Sequence, residues 1–399
     1  MISFKTKNLV ISILVILFLY LFISWETWFP THATVHHSSH NRTTSRLTSA
    51  RRQTLATALA HIRVTYSTNR TPEISIPPLL VLYSCKPNQQ CGTLAERLVD
   101  ITTAYYYAML HPDRDAAFAY DMAFPVQFEW YLEPTPGHMA MRTGQAQFYL
   151  DRADLDQVKH VPILASTPTV EGHQRILGTT VWKSREWNAT ESHKRGRYGL
   201  SHVPDRSDWF FLASRLLFAQ PTDWLAEQLG PYRRLMGGKI KLKETMGALD
   251  PDNILTPHLT SPWFRLGVCV RRGEEVDLMT AHVRRVCPQR DCHVFVSAAS
   301  ASLLGRVRRG LTGLSVHAVA EGYAFGDLDR PPQHWKLFES NEQLKKQYAR
   351  VFMDWLILSR MDYLIGSEED LFIKTAAWSA QVQTDVLTEN GKFVSLSDW

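Results

Sequence analysis

Short apolar runs that alternate with amphipathic helices predict an α/β protein, and the runs are continuous enough to be parallel strands covered on both faces. Two further observations set the architecture. The strand–helix rhythm occurs twice, on either side of a Lys- and Pro-containing connection at residues 237–260. An uncharged apolar stretch also stands near the N-terminus. The expected fold is therefore two Rossmann-like α/β domains with a cleft between them, preceded by a transmembrane helix and a stem.

Leu9 to Trp25 is an uncharged run of 17 residues, near the lower limit for a bilayer-spanning helix. Lys5 and Lys7 precede it and Glu26 follows. The positive-inside rule then leaves residues 1–8 as a cytosolic tail, makes 9–25 a signal anchor and places the remainder in the lumen. A cleaved signal peptide normally has a shorter apolar core and a small-residue cleavage site, and no such site follows. A short span suits the thinner membranes of the early secretory pathway, so the expected location is the Golgi or ER membrane, single-pass and type II. The sequons at Asn41, Asn69 and Asn188 agree with a luminal body. So do two close cysteine pairs, Cys85 with Cys91 and Cys287 with Cys292, which leave Cys269 over.

Residues 26–75 are rich in Ser, Thr, His and Arg and read as a luminal stem. His32, His36, His37 and His40 fall there without a scaffold to fix a metal geometry, so they read as solvated. The first α/β domain spans 76–240. Ile76–Ser84 is its central strand, Cys85–Gly92 a loop, Thr93–Leu110 a helix with an apolar stripe, and Ala116–Tyr120 a second strand. Residues 125–210 show no clear period. Trp209–Phe218 is helical, and Thr222 is the expected N-cap of a helix running to about Met236, ended by Gly237-Gly238.

The second domain, 241–399, repeats the rhythm: strands at Leu266–Val270, His293–Val296, Ser315–Ala320 and Tyr363–Gly366 alternate with helices at Leu278–Val286, Ser302–Arg309, Ser340–Ser359 and Leu371–Ala380. No repeat period appears. The net charge of +5 is spread thinly, with no dense Lys/Arg block, so nucleic-acid binding is not suggested. A few local arginines suit small anionic molecules better. The strand Leu266–Val270 ends in Arg271 and Arg272. Ligands of open α/β sheets bind beyond the carboxyl ends of the strands, and two guanidinium forks there suit a phosphate.

Four segments in order resemble a known family. They are Cys91-Gly-Thr-Leu-Ala-Glu-Arg-Leu98 with Arg114, Phe118 and Pro125 downstream, Leu217-Phe218 to Pro221-Thr222, Gly267-Val-Cys-Val-Arg-Arg-Gly-Glu274, and Asp354-Trp-Leu-Ile-Leu-Ser359 with Asp362 to Gly366. Together they are similar to the glycine loop, "LF-x-P-[ST]", "GVHVRRxD" and "D-x-x-x-LS-x-x-D-x-L-I" stretches of the GDP-fucose-dependent fucosyltransferases, the group of α1,6-, α1,2- and protein O-fucosyltransferases.

The resemblance implies a GT-B fold with GDP-fucose bound in the C-terminal domain and a glycan or glycoprotein acceptor in the N-terminal one. It implies inverting transfer without a metal or other cofactor. By position, Arg271 would contact the β-phosphate, with Arg272, Cys269, Glu274 and Ser367 around the donor, Asp354 holding an arginine, and Gly92 and Arg97 at the acceptor cleft. Arg271→Ala is then expected to abolish transfer with folding intact. A homodimer is among the assemblies left open. Glu96, Asp100, Asp121 and Glu129 all stand open as a general base.

The chain also departs from the pattern. Cys269 replaces a histidine, Glu274 an aspartate, and Ser297-Ala298-Ala299-Ser300 a Thr-Asp-Ser. Glu368, Glu369 or Asp370 stand where the family has serines, and carboxylates there would repel a pyrophosphate unless turned away. Rival readings are a catalytically inactive scaffold, a transferase of another nucleotide sugar, or a metal-dependent GT-A enzyme. The last would need Asp250-Pro-Asp252, which follows no apolar strand.

Overall fold

The computed structural model describes residues 49–68, 80–85, 91–110, 117–122, 125–134, 158–160, 195–203, 205–218, 220–236, 263–287, 292–319, 322, 328 and 340–396. The expected anchor at 9–25, the stem histidines, the three sequons, Arg114 and Asp250-Pro-Asp252 lie outside them. No helix among the described residues is long and apolar enough to cross a membrane.

The first element corrects the stem. Residues Ser49–Thr68 form a helix, α1, whose Leu55, Ala58, Leu59 and Ile62 are buried in the main core. Those four fall at three- and four-residue steps, so they make one stripe. Arg51 clamps the helix to the body with three hydrogen bonds to Asp208, at 2.8, 3.0 and 3.2 Å, and a 3.0 Å ion pair with Asp205. The stripe is legible in retrospect. It is faint because Ala and Thr fill the spaces between its few large apolar residues.

Three parallel strands follow in the order β2-β1-β4: β1 is Leu80–Cys85, β2 Ala117–Met122 and β4 Val158–His160. Helix α2, Leu94–Met109, packs on this sheet and starts with a capping box, in which Thr93 and Glu96 each bond the other's backbone N–H. A small antiparallel pair joins β3, Leu132–Glu133, to β5, Gln220–Pro221. Between them lies helix α3, Arg206–Leu217.

Thr222 does cap the next helix, its side chain accepting from the Leu225 N–H, but α4 covers only Asp223–Gln228. A one-turn 3-10 segment takes over at Gly230-Pro231, because proline cannot donate the next helical hydrogen bond. The expected run to Met236 is thus broken in two.

The larger sheet has six strands in the order β11-β10-β9-β6-β7-β8. In sequence they are β6 Phe264–Val270, β7 Cys292–Ala298, β8 Ser315–His317, β9 Tyr363–Ser367, β10 Gln383–Leu387 and β11 Phe393–Ser395. All pairs are parallel except the terminal β10–β11 hairpin. Neither β10 nor β11 is anticipated by the sequence reading. One face of this sheet carries α5, Val276–Val286, and α6, Ala301–Gly310, around a core of Val and Leu. A Cys287–Cys292 disulfide joins the end of α5 to the start of β7, and Cys91 is disulfide-bonded as well.

The other face carries α7, Asn341–Leu358, and α8, Leu371–Ala380. Gly267 in β6 permits that contact: a Cβ there would lie 2.6 and 2.7 Å from methyl carbons of Leu364 and Leu358. These two helices also meet the N-terminal elements. Tyr131 stacks on Phe352 at 4.0 Å, Phe218 meets Trp355 and Phe210 meets Trp378 edge-on. The first half and α7–α8 therefore share one apolar core.

Candidate active site

Central strand β6 is buried from Arg265 to Val270, and the chain emerges at its carboxyl end as Arg271 and Arg272. Gly273–Glu275 turns once as a 3-10 segment into α5. At the same end of the sheet, the Ala299 N–H bonds the Val270 carbonyl at 3.0 Å. The two arginines have different surroundings.

The Arg271 guanidinium is partly buried and donates through Nη2 to Asp370 Oδ1 at 2.5 Å. Asp370 is the N-cap of α8, and the same Oδ1 accepts the Phe372 N–H at 2.9 Å. The turn below it is fixed too, since the Asp370 N–H reaches the Ser367 carbonyl at 3.0 Å. Burial works against the Arg271 charge. The Asp370 carboxylate, with Glu96 beyond it, outweighs that and holds the guanidinium above its ordinary range.

Arg272 is exposed. Its Nε donates to the buried Glu275 at 2.9 Å, and Glu274 and Glu369 lie 3.5 and 3.6 Å away. It bridges the turn after β6 to the turn after β9. Glu274, one of the expected donor contacts, is a solvated rim residue.

Beneath Arg271, Cys269 is a free, buried thiol. Burial first, and Asp370 next, push its pKa well above the ordinary thiol value, so it stands as a neutral group between the carboxylates of Asp370 and Asp354. Asp354 does not hold Arg271. It lies on the face of α7 that covers β7, accepts from Ser297 Oγ at 2.7 Å and faces Arg350, one turn earlier, at 3.6 Å. The arginine that it steadies is Arg350, whose Nη2 donates to the Ala298 carbonyl at 2.8 Å. The expected orienting role belongs to Asp370 instead.

Ser367 is buried at the end of β9. Strand alternation puts it with Tyr363 and Ile365 on the α5–α6 face, away from Cys269. Arg97 is buried, donating to the Gly92 carbonyl at 2.8 Å and to the Leu328 carbonyl at 3.1 Å. It pins the Gly92 turn rather than lining a cleft. Asp370 is the residue that sequence reasoning missed as a partner. Its signal is an aspartate directly before a helix start, the ordinary N-cap pattern. Glu368 and Glu369 are exposed.

Asp354 titrates in an unusual place. Burial, opposed by Arg350 and by the hydrogen bonds from Ser297 and Arg350, lifts its pKa to about 7, and its Oδ1 has no hydrogen-bond partner among the described residues. In the unfolded chain it ionises near the usual carboxylate value of about 4. Between those two pH values the folded state binds the extra proton, so stability falls as pH rises from about 4 to 7 and levels off above. The expected loss is at most about 4 kcal/mol. Asp354→Asn should flatten this slope in urea unfolding at pH 4.5, 6 and 7.5; an unchanged slope would assign it to other groups.

No protein-family model and no curated protein sequence matches the chain. Solved structures do. An α-1,6-fucosyltransferase, NodZ, soaked with GDP-fucose, is similar over 80% of this chain and 99% of its own, at 13% identity and a TM-score of 0.45. NodZ from Bradyrhizobium appears again at 14% identity and a TM-score of 0.46. FUT1 of Arabidopsis thaliana, as a variant in complex with GDP, is similar over 88% of this chain and 82% of its own, at 12% identity and a TM-score of 0.46.

Proposed function

We propose that the chain is a glycosyltransferase that moves fucose from GDP-fucose to a hydroxyl of a glycan or glycoprotein, with inversion and without a metal, in the lumen of the Golgi or ER as a type II membrane protein. One observation carries the reading. A partly buried arginine stands at the carboxyl end of the central parallel strand, its fork set by a buried carboxylate. The four-motif resemblance supplies the identity of the donor.

The chemistry needs little more. As the acceptor oxygen approaches the anomeric carbon, the bond to the β-phosphate oxygen lengthens and negative charge grows on that oxygen. A cation already in place stabilises this charge more than it stabilises the ground state. Asp370 holds one edge of the fork, so Arg271 need not reorganise when the charge appears. Arg272 lies at the rim and would meet the outer phosphate oxygens only by leaving Glu275.

A second reading has one observation in its favour. Asp370 neutralises Arg271, and Glu274, Glu275 and Glu369 surround Arg272, as in a scaffold that no longer binds a donor. A thermal-shift titration separates the two. GDP-fucose should raise the melting temperature of the luminal body in EDTA as much as in Mg²⁺. Protection only with Mg²⁺ would point to a metal-dependent transferase, and no protection under either condition to the scaffold.

A further inference from the structure

The reaction just described leaves the acceptor's proton without a receiver, and the helix packed on the N-terminal sheet supplies one. We propose that Glu96 is the general base of the transfer, a reading that rests on the proposed function above. Glu96 stands in the first turn of α2, and α2 packs against α8, the helix whose N-cap holds Arg271. The capping box draws its side chain back over the start of the helix, where Oε2 accepts the Thr93 N–H at 2.6 Å. Gly92, at φ +75°, gives the carboxylate its room: a Cβ there would come within 2.3 Å of Oε2. Arg97 locks that turn through the Gly92 carbonyl. Glu96 is partly exposed, and its carboxylate is among the charges that sustain the Arg271 guanidinium.

Of the other carboxylates open from the sequence, the Asp121 side chain lies outside the described residues, and Glu129 stands in the one-turn segment Phe128–Trp130 next to β3, not on the α2 turn. The remaining competitors are placed otherwise. Asp100 is 1% exposed, Asp354 and Asp370 are buried and bonded, and Glu275 is bonded to Arg272. Glu274, Glu368 and Glu369 sit on the strand-end turns beside Arg272, the flank to which the leaving phosphate belongs. Glu96 comes from the helix on the other sheet, not from the strand-end turns that carry Arg271 and Arg272. In the step, the acceptor oxygen forms the bond to the anomeric carbon and its proton passes to a Glu96 oxygen. The carbon–oxygen bond to the β-phosphate breaks, its electron pair remaining on the phosphate oxygen beside Arg271.

Glu96→Gln separates chemistry from structure, because glutamine serves the capping box as well as glutamate does. Water can stand in for the acceptor, so GDP released from GDP-fucose alone is the readout. Glu96→Gln should lower that release at least about 100-fold while the melting temperature and GDP affinity stay at wild-type values. Thr93→Ala, which removes the other half of the cap, should lower the melting temperature and keep the release rate. Release by Glu96→Gln within about threefold of wild type would refute the base, as would a parallel loss of melting temperature or GDP binding. A wild-type protein that neither binds GDP nor releases it would instead remove the transferase reading itself.

Discussion

Arg271→Ala is expected to reduce fucose transfer by about 10²–10³, the usual cost of removing one preorganised group at a developing oxyanion. It will not leave folding untouched, as the sequence alone suggested. Asp370 is buried and gives one oxygen to both Arg271 and the first turn of α8. Without the guanidinium that carboxylate stays buried with half its partners, at a cost of about 1–3 kcal/mol. The double variant Arg271→Ala with Asp370→Asn distinguishes the two effects, since asparagine caps a helix as well as aspartate and carries no charge to strand. It should recover most of the stability in urea unfolding and none of the transfer. Recovery of transfer would show that Arg271 only neutralises Asp370 and takes no part in the reaction.

The largest stability effect is expected at Asp362. Arg265, fully buried at the start of β6, donates to it twice, at 2.9 and 2.6 Å, and its own backbone N–H adds a third bond at 3.0 Å. The Asp362 N–H returns a bond to the Arg265 carbonyl at 2.9 Å. Removing one partner of a buried pair strands the other's charge and typically costs about 3–5 kcal/mol. The upper end applies here, because Arg360, pushed down to about 10 by burial and by Arg265, is already an unfavourable neighbour. Asp362→Ala should lower the urea midpoint accordingly. Arg265→Met with Asp362→Leu should restore much of it, since an apolar pair of similar volume is often tolerated. A midpoint unmoved by Asp362→Ala would mean that water reaches Arg265.

The sequence revealed most where burial is continuous. Strand β6 is apolar on both sides because helices cover both faces, so it could be read at once, as could Thr222 and the inner stripe of α7. Short or mixed elements were hidden. β10 alternates Thr384 and Val386 with Asp385 and Leu387 over five residues, too brief to separate from a loop, and α1 buries only Leu55, Ala58, Leu59 and Ile62 among many small and polar residues. At the site, residue type alone pointed to Arg271, yet nothing in the chain order tells which of Asp354 and Asp370 reaches it. That depends on where two helices begin relative to one strand end, which is a tertiary fact.

Helices α7 and α8 lie late in the chain but bury Phe352, Trp355 and Trp378 against aromatic residues from the first half. Chimeras made by exchanging segments at the 240/241 junction would therefore split a single interior between parents. Donor preference would be better transplanted as a graft of the strand-end turns alone, at 271–275 and 368–370, leaving both helices with their native partners.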